Sequence, residues 1–447
     1  MRQSRRPNFL QLFIVAAVAG CALVAFRCVL PDSARVNESF DYVDYYEPAA
    51  RSLLNGAGLQ YQNRPATKYP PGFPLFLAAH FQLASITGIT ESTLLDISAV
   101  LCFSAAAVLL FACARRLRRT ESVNDFETRW YRSPEVIVTA LWIVYPPGLW
   151  LFKQPNSELP FVACLFATIR LFVPMLMDGE HSSPTSSRAV QVFLTGILCG
   201  LTSLIRPITI GMGCVMASML WISLSRTETH ANSAGSRRAL KSAGILLLGN
   251  LLAVLPWELW VWQKTARIVP LSTLGVQALY EGVTYGLHND GARNTNVRVP
   301  DDLLPIMNAV HSSVADGTLS SFGDMTGILS REFQRAPMSV LKLYVLKAGR
   351  AWIGTDSGRM ENVLFLIQVV WLTLFTTAIV RQYIRNQPLT MVQWFLILLT
   401  LYFWGLVTLT FSIARYMTPV MGLLLLATIR GPSLRGGNSS RRRHEPP

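Results

Sequence analysis

The stretch "FLQLFIVAAVAGCALVAF", Phe9–Phe26, runs 18 residues without a charge. A helix needs about 20 mostly apolar residues to cross the hydrocarbon core of a bilayer, so this run reads as a membrane span. Similar runs recur at about 94–114, 134–151, 158–177, 190–206, 207–224, 242–262, 362–380, 389–411 and 416–429. Composition points the same way. Soluble domains carry roughly a quarter charged residues, whereas this chain of 447 is 15% charged and 51% hydrophobic, with a mean hydropathy of +0.35. The expected fold is all-α and integral to the membrane, a polytopic helical bundle of about ten spans. The start "MRQSRRPN" is basic, but no small-x-small cleavage pattern follows it, so the first run is expected to stay as a span.

A net charge of +14 would suit a nucleic-acid binder, yet no recognisable nucleic-acid module is present. The arginines instead gather in short loops, which is a topology signal. One apolar run, Gly72–Gly88, is ambiguous: it has 17 residues and contains Pro74 and His80. If it lies at the interface, 20 basic residues fall on one face. These include "RRLRR" at Arg115–Arg119 and the tail with Arg441–Arg443. If it spans, "RRLRR" moves to the opposite face and the bias breaks. Gly72–Gly88 is therefore expected to be a re-entrant or juxtamembrane helix on the outer side.

That choice puts the polar chemistry on one face. A first outer loop covers 31–93, and a large outer loop of about 100 residues covers 263–361, between spans 7 and 8. The transmembrane domain is expected over 1–430, with a disordered basic cytoplasmic tail at 431–447. The seven cysteines lie in or at the ends of apolar runs without a CxxC, and read as packed small side chains rather than a metal site.

Two segments of the first outer loop stand out. In "NESFDYVDYYEPAARSLLNGAGL", Asn37–Leu59, the residues Asp41, Tyr45, Ala49 and Leu53 fall four apart and would share one helix face. Asp44 lies between them. In "KYPPGFPLF", Lys68–Phe76, Pro70–Pro71–Gly72 should turn the chain into the interfacial helix and hold Lys68 at the membrane boundary.

Together these segments resemble the C-type membrane glycosyltransferases. The pattern is D-x-x-x-Y-x-x-x-A-x-x-x-L-x-x-G followed by Y-P-P-G-F-P-L-F. The group most similar is that of the protein O-mannosyltransferases and lipid A aminoarabinose transferases, with the rhizobial lipopolysaccharide galacturonosyltransferases among its bacterial relatives. Further landmarks follow in order. "YPPGLWLFKQPNSELPF" (Tyr145–Phe161) resembles the second acidic loop of the family and carries Glu158. "GLTSLIRP" (Gly200–Pro207), "PWELWVWQKTARIVPLSTLGVQALYEG" (Pro256–Gly282) and "ARYMTPV" (Ala414–Val420) complete the series.

The resemblance implies transfer of a sugar from a polyprenyl-phosphate carrier to an acceptor hydroxyl on a lipid, glycan or protein, at the outer leaflet. The attacking hydroxyl must lose a proton, which calls for a positioned carboxylate, and Asp41 is expected to be that general base. Asp44 and Glu158 are the other catalytic candidates. The departing polyprenyl phosphate gathers negative charge, and Lys68, Arg206 and Arg415 are the candidate cations, with arginine suited to a forked grip on phosphate. A divalent ion on Asp41 or Asp44 and Glu158 is compatible with the residue types, but nothing in the sequence requires it. A bacterial inner membrane with a periplasmic active site is the expected setting.

The chain also departs from the family pattern. Tyr42 follows Asp41 where the mannosyltransferases have Glu, and Trp260–Val261 stands where many relatives read R-N. Blander roles exist for each candidate. Glu158 follows Asn156–Ser157 and could cap a helix, Lys68 could be an interface anchor, and Arg206 and Arg415 could mark helix ends. His288 and Asp290 in "YGLHNDG" read as turn residues. The competing function classes are a secondary transporter or lipid-linked sugar flippase, and a non-catalytic scaffold. Transporters usually show internal repeats and polar segments at mid-membrane, and the sequence shows neither clearly.

Overall fold

The computed structural model describes residues 8–31, 35, 41–118, 133–153, 155–177, 186–227, 233–284, 299–319, 321–355 and 358–429. The basic tail at 431–447 and the His288/Asp290 turn fall outside these. Within them the chain is helical apart from one two-stranded antiparallel ribbon, β1 (Gln60–Tyr61) against β2 (Arg64–Pro65).

Eight of the described helices are long and apolar enough to cross a membrane. They are α1 (Phe9–Val29), α4 (Glu91–Arg118), α7 (Glu158–Met177), α8 (Ser186–Ile205), α9 (Met212–Thr227), α10 (Ser233–Thr265), α15 (Glu361–Ile384) and α16 (Met391–Leu409). The other two expected spans are shorter. The run at 134–151 breaks into α5 (Pro134–Ile143) and α6 (Pro146–Trp150), because Pro146–Pro147 cannot continue a helix. The last becomes α17 (Ala414–Ala427). The ambiguous run forms α3 (Gly72–Thr87), 16 residues starting just after Pro71 and ending on Gly88 in the left-handed conformation.

Lipid inverts the usual burial rule, since a polar side chain facing hydrocarbon has no partner. Helix α15 shows this: among its described residues only Gln368 and Gln382 are buried, while Phe365, Leu366 and Val370 face outward. The Gln368 amide donates to the Tyr145 hydroxyl at 2.7 Å. Gln382 and Gln393 of α16 exchange amide hydrogen bonds at 3.1 and 2.9 Å, and the Gln393 amide also donates to the Ala427 carbonyl. Helices α8 and α10 approach through small residues instead. A Cβ on Gly196 would collide with the Leu246 carbonyl oxygen, so only glycine allows this spacing.

The segment between α10 and α15 builds a small helical lobe from α11 (Gly275–Thr284), α12 (Leu304–Ala315), α13 (Phe322–Arg335) and α14 (Pro337–Ile353). It has a core of its own, including Val283, Leu303, Ile306, Val310, Met325 and Leu343. Lys347 of α14 is fully buried where the lobe meets the bundle. Its ammonium donates to the Leu409 carbonyl at the C-terminal end of α16, 3.3 Å away, where the helix dipole favours a cation. Burial pushes this lysine down to about 7.

Two predictions follow from this packing. An unfolded lysine keeps its proton to about 10.5, whereas folded Lys347 releases it above about 7. Between those values the unfolded chain binds more protons, so Lys347 makes stability rise with pH across that window. Lys347→Met should therefore raise the melting temperature in detergent most at pH 6, with the gain shrinking towards pH 10. Gly196→Leu should lower stability by about 2 kcal/mol through overpacking, measured by thermal unfolding of the solubilised protein.

Candidate active site

The first outer loop opens with a π-helical turn, Tyr42–Tyr46, led by Asp41 and followed by α2 (Glu47–Leu54). That turn is one residue wider than an α-turn and rotates what comes after it. The expected four-residue face holds for Tyr45 and Ala49 and is lost at Leu53, within the regular turns of α2. Tyr45 and Ala49 pack with Ala66 and Tyr69, whereas Leu53 packs with Ala50, Phe73 and Phe81. Asp41 is part-buried and accepts a hydrogen bond from the Tyr69 hydroxyl. Asp44 lies exposed three residues on.

Tyr69 belongs to a ring of aromatic side chains beside Asp41. Its ring centroid is 5.0 Å from that of Tyr45 and 4.8 Å from that of Tyr46, and its backbone N–H donates to the Tyr45 hydroxyl at 3.2 Å. Burial, and then the charge of Asp41, hold the Tyr69 hydroxyl well above the usual phenol range, so it stays a donor. Burial alone pushes Tyr45 up to about 12. Lys68, one residue before, has its ammonium 5.5 Å from the Tyr69 ring centroid. Segment 271–273 straps this stretch in place: the Ser272 hydroxyl donates to the Lys68 carbonyl at 2.5 Å, and the Thr273 N–H to the Thr67 carbonyl at 3.2 Å. The strap is held in turn from α10, where the Glu258 carboxylate accepts from the Leu271 N–H at 2.6 Å and the Trp257 indole donates to the Leu271 carbonyl.

The second group lies where three helix ends meet. Asn156 caps α7, its side-chain oxygen accepting from the N–H groups of Glu158 and Leu159 at 3.1 and 3.4 Å. Glu158 is thereby free for another task. Its carboxylate, 4% exposed, sits 2.6 Å from an Arg206 nitrogen and 3.1 Å from Arg415 Nε. Arg206 also donates to the Ser157 hydroxyl at 3.1 Å. It follows the last residue of α8 in extended backbone, the conformation expected before Pro207. The Tyr402 hydroxyl of α16 fastens the turn behind it, accepting from the Gly211 N–H and donating to the Ile208 carbonyl. Arg415 stands in the first turn of α17, where the helix dipole repels a cation and the Glu158 carboxylate offsets it.

The two groups are joined. The Tyr416 ring lies under both guanidiniums, 4.9 Å from Arg206 and 5.3 Å from Arg415. Tyr46 is set among Arg206, Asp41, Glu158 and Tyr416; burial raises its hydroxyl first, Arg206 opposes this, and Asp41 and Glu158 add to it. At Gly72 a Cβ would come within 2.5 Å of the Leu204 carbonyl oxygen, so the start of α3 rests directly on the end of α8 beside Arg206. The outer loops thus meet at one end of the bundle, as the interfacial reading of Gly72–Gly88 requires. Had that run crossed the membrane, Asp41 and Arg206 would lie at opposite ends.

Of the six residues singled out by sequence, Glu158 pairs with both Arg206 and Arg415, Asp41 bonds to Tyr69, Lys68 flanks Tyr69, and Asp44 is exposed. Tyr69, Tyr46, Tyr416 and Ser272 were not singled out. The first three stand inside the quoted motifs but read as an interfacial aromatic belt, and Ser272 has no signal of its own. Among the described residues no three His, Cys, Asp or Glu side chains gather as metal ligands, and the Glu158 carboxylate already faces two guanidiniums.

The fold and this site define an all-α polytopic membrane protein with a compact charged and aromatic centre at one end. Among solved structures, the archaeal oligosaccharyltransferase AglB from Archaeoglobus fulgidus, in complex with an inhibitory peptide and a dolichol-phosphate, is similar at 13% identity and a TM-score of 0.49. The likeness covers 94% of this chain and 50% of that one, so the chain spans half the length of that protein. ArnT from Cupriavidus metallidurans bound to undecaprenyl phosphate is similar at 12% identity and a TM-score of 0.37, over 94% of this chain and 77% of that one. Neither likeness is close enough to carry an argument about the reaction. No protein-family model and no curated protein matches.

The arrangement predicts that Glu158→Ala, which removes the buried carboxylate that Arg206 and Arg415 share, destabilises the protein by about 3 kcal/mol. Asp44→Ala should change stability by less than about 0.5 kcal/mol. Thermal unfolding of both variants in the same detergent compares them.

Proposed function

We propose that the protein is a membrane glycosyltransferase that moves a sugar from a polyprenyl-phosphate carrier to an acceptor hydroxyl at the outer face of the membrane. The observation that carries this reading is the pairing of one hydrogen-bonded carboxylate, Asp41, with two guanidiniums, Arg206 and Arg415, around shared tyrosines. The family resemblance of the motifs supports it.

In this reading Asp41 takes the proton from the acceptor hydroxyl as its oxygen attacks the anomeric carbon. The bond from that carbon to the carrier phosphate breaks, and the phosphate leaves with the bonding electrons. Arg206 and Arg415 present planar donors to the phosphate oxygens, and Lys68 adds a third cation from the first outer loop. Glu158 holds the two guanidiniums in one geometry and cancels one of their two charges, so they do not repel each other before the donor arrives. The sites on the outer face would be reached from the periplasm of a bacterial cell, and the acceptor is a lipid, glycan or protein hydroxyl.

The test uses the full chain in liposomes with radiolabelled undecaprenyl-phosphate sugars, read as release of undecaprenyl phosphate. Asp41→Asn should lower turnover by at least about 100-fold, in the range expected for a lost general base, while the protein still inserts and melts as wild type does. Arg206→Lys and Arg415→Lys should each weaken turnover while keeping the charge, because the fork is lost. Turnover retained in Asp41→Asn would move the base to Asp44 or Glu158. No release from any donor by well-folded protein would favour a transporter.

A further inference from the structure

We infer that Tyr69 is a positioning residue for Asp41, its hydroxyl aiming the carboxylate at the acceptor hydroxyl. This rests on the proposed role of Asp41 as base. The hydroxyl donates to Asp41 Oδ1, and the ring packs against Tyr45 at 5.0 Å and Tyr46 at 4.8 Å. The backbone that carries it is fixed from two directions. The Tyr69 N–H is tied to the Tyr45 hydroxyl, and the preceding carbonyl, that of Lys68, is tied to Ser272. Pro70 and Pro71 follow at once and leave the backbone little freedom.

Few side chains are held so firmly only to fill space. Leu271, whose N–H and carbonyl are both taken by α10, adopts φ +59, a backbone conformation that a branched apolar residue rarely takes. That strained residue leads directly into the strap on Lys68–Tyr69. The aim of Tyr69 is thus determined by α10 and the 271–273 strap as well as by its own loop, and one of the two Asp41 oxygens is occupied.

The ring of Tyr69 is retained in Tyr69→Phe, so packing on Tyr45 and Tyr46 survives and only the donor is lost. With the same liposome assay, Tyr69→Phe should lower kcat by about 10-fold or more while KM for the undecaprenyl-phosphate sugar stays within twofold. The acid side of the pH–rate profile should move to higher pH, because the hydroxyl that donates to Asp41 Oδ1 is gone. Should that variant fail to insert, 3,5-difluorotyrosine at position 69 carries the test with the opposite sign: a stronger donor moves the acid side to lower pH. An inactive Asp41→Asn together with an unmoved profile in either Tyr69 variant overturns the positioning role and leaves the base assignment standing. An active Asp41→Asn overturns both.

Discussion

A single carboxylate sets the geometry of the outer end of this protein. Glu158 brings Arg206 and Arg415 to one point, and these three residues come from three different helix ends separated by up to 257 positions in the chain. Without it, two guanidiniums would be forced together in a poorly solvated place beside the first turn of α17, whose dipole already disfavours a cation. The pairing makes that concentration of positive charge tolerable. It leaves a net charge of one on the group, which is what an incoming phosphate would meet.

The aromatic residues make the rest of the centre a continuous unit. Tyr416 lies under both guanidiniums, Tyr46 is close enough to feel the charges of Arg206 and Asp41, and Tyr69 donates to Asp41. Burial holds the Tyr45, Tyr46 and Tyr69 hydroxyls protonated; that of Tyr69 donates to Asp41, and that of Tyr45 accepts from the Tyr69 N–H. Rigid rings also bring contact area at little cost in side-chain entropy. The support comes from below as well: Trp257 and Glu258, at the outer end of α10, hold the strap that holds Lys68.

Beneath this centre the bundle follows the chemistry of a lipid solvent. Its amides pair with each other across helices, as at Gln382 and Gln393, and its glycines mark the closest approaches, as at Gly196 and Gly72. The buried Lys347 stands apart from the paired charges such as Arg350–Glu361, a lysine set at the seam between the helical lobe and the membrane helices and donating to the Leu409 carbonyl.

Periodicity and composition by themselves determined the all-helical membrane class and eight of the ten long spans. These properties are local or additive, so a linear reading reaches them. The start of α3 after Pro70–Pro71 and the cap at Asn156 were legible for the same reason, being set by a few neighbouring residues. The partner of each charged residue was not. That Glu158 faces Arg206 and Arg415, and that Asp41 faces Tyr69, depends on contacts between residues 28 to 257 positions apart, for which one sequence has no code. The π-helical turn also escaped notice, since one extra residue in a turn changes which side chains share a face without changing their types. Only the packing of α3 on the end of α8 brought the two halves of the site together.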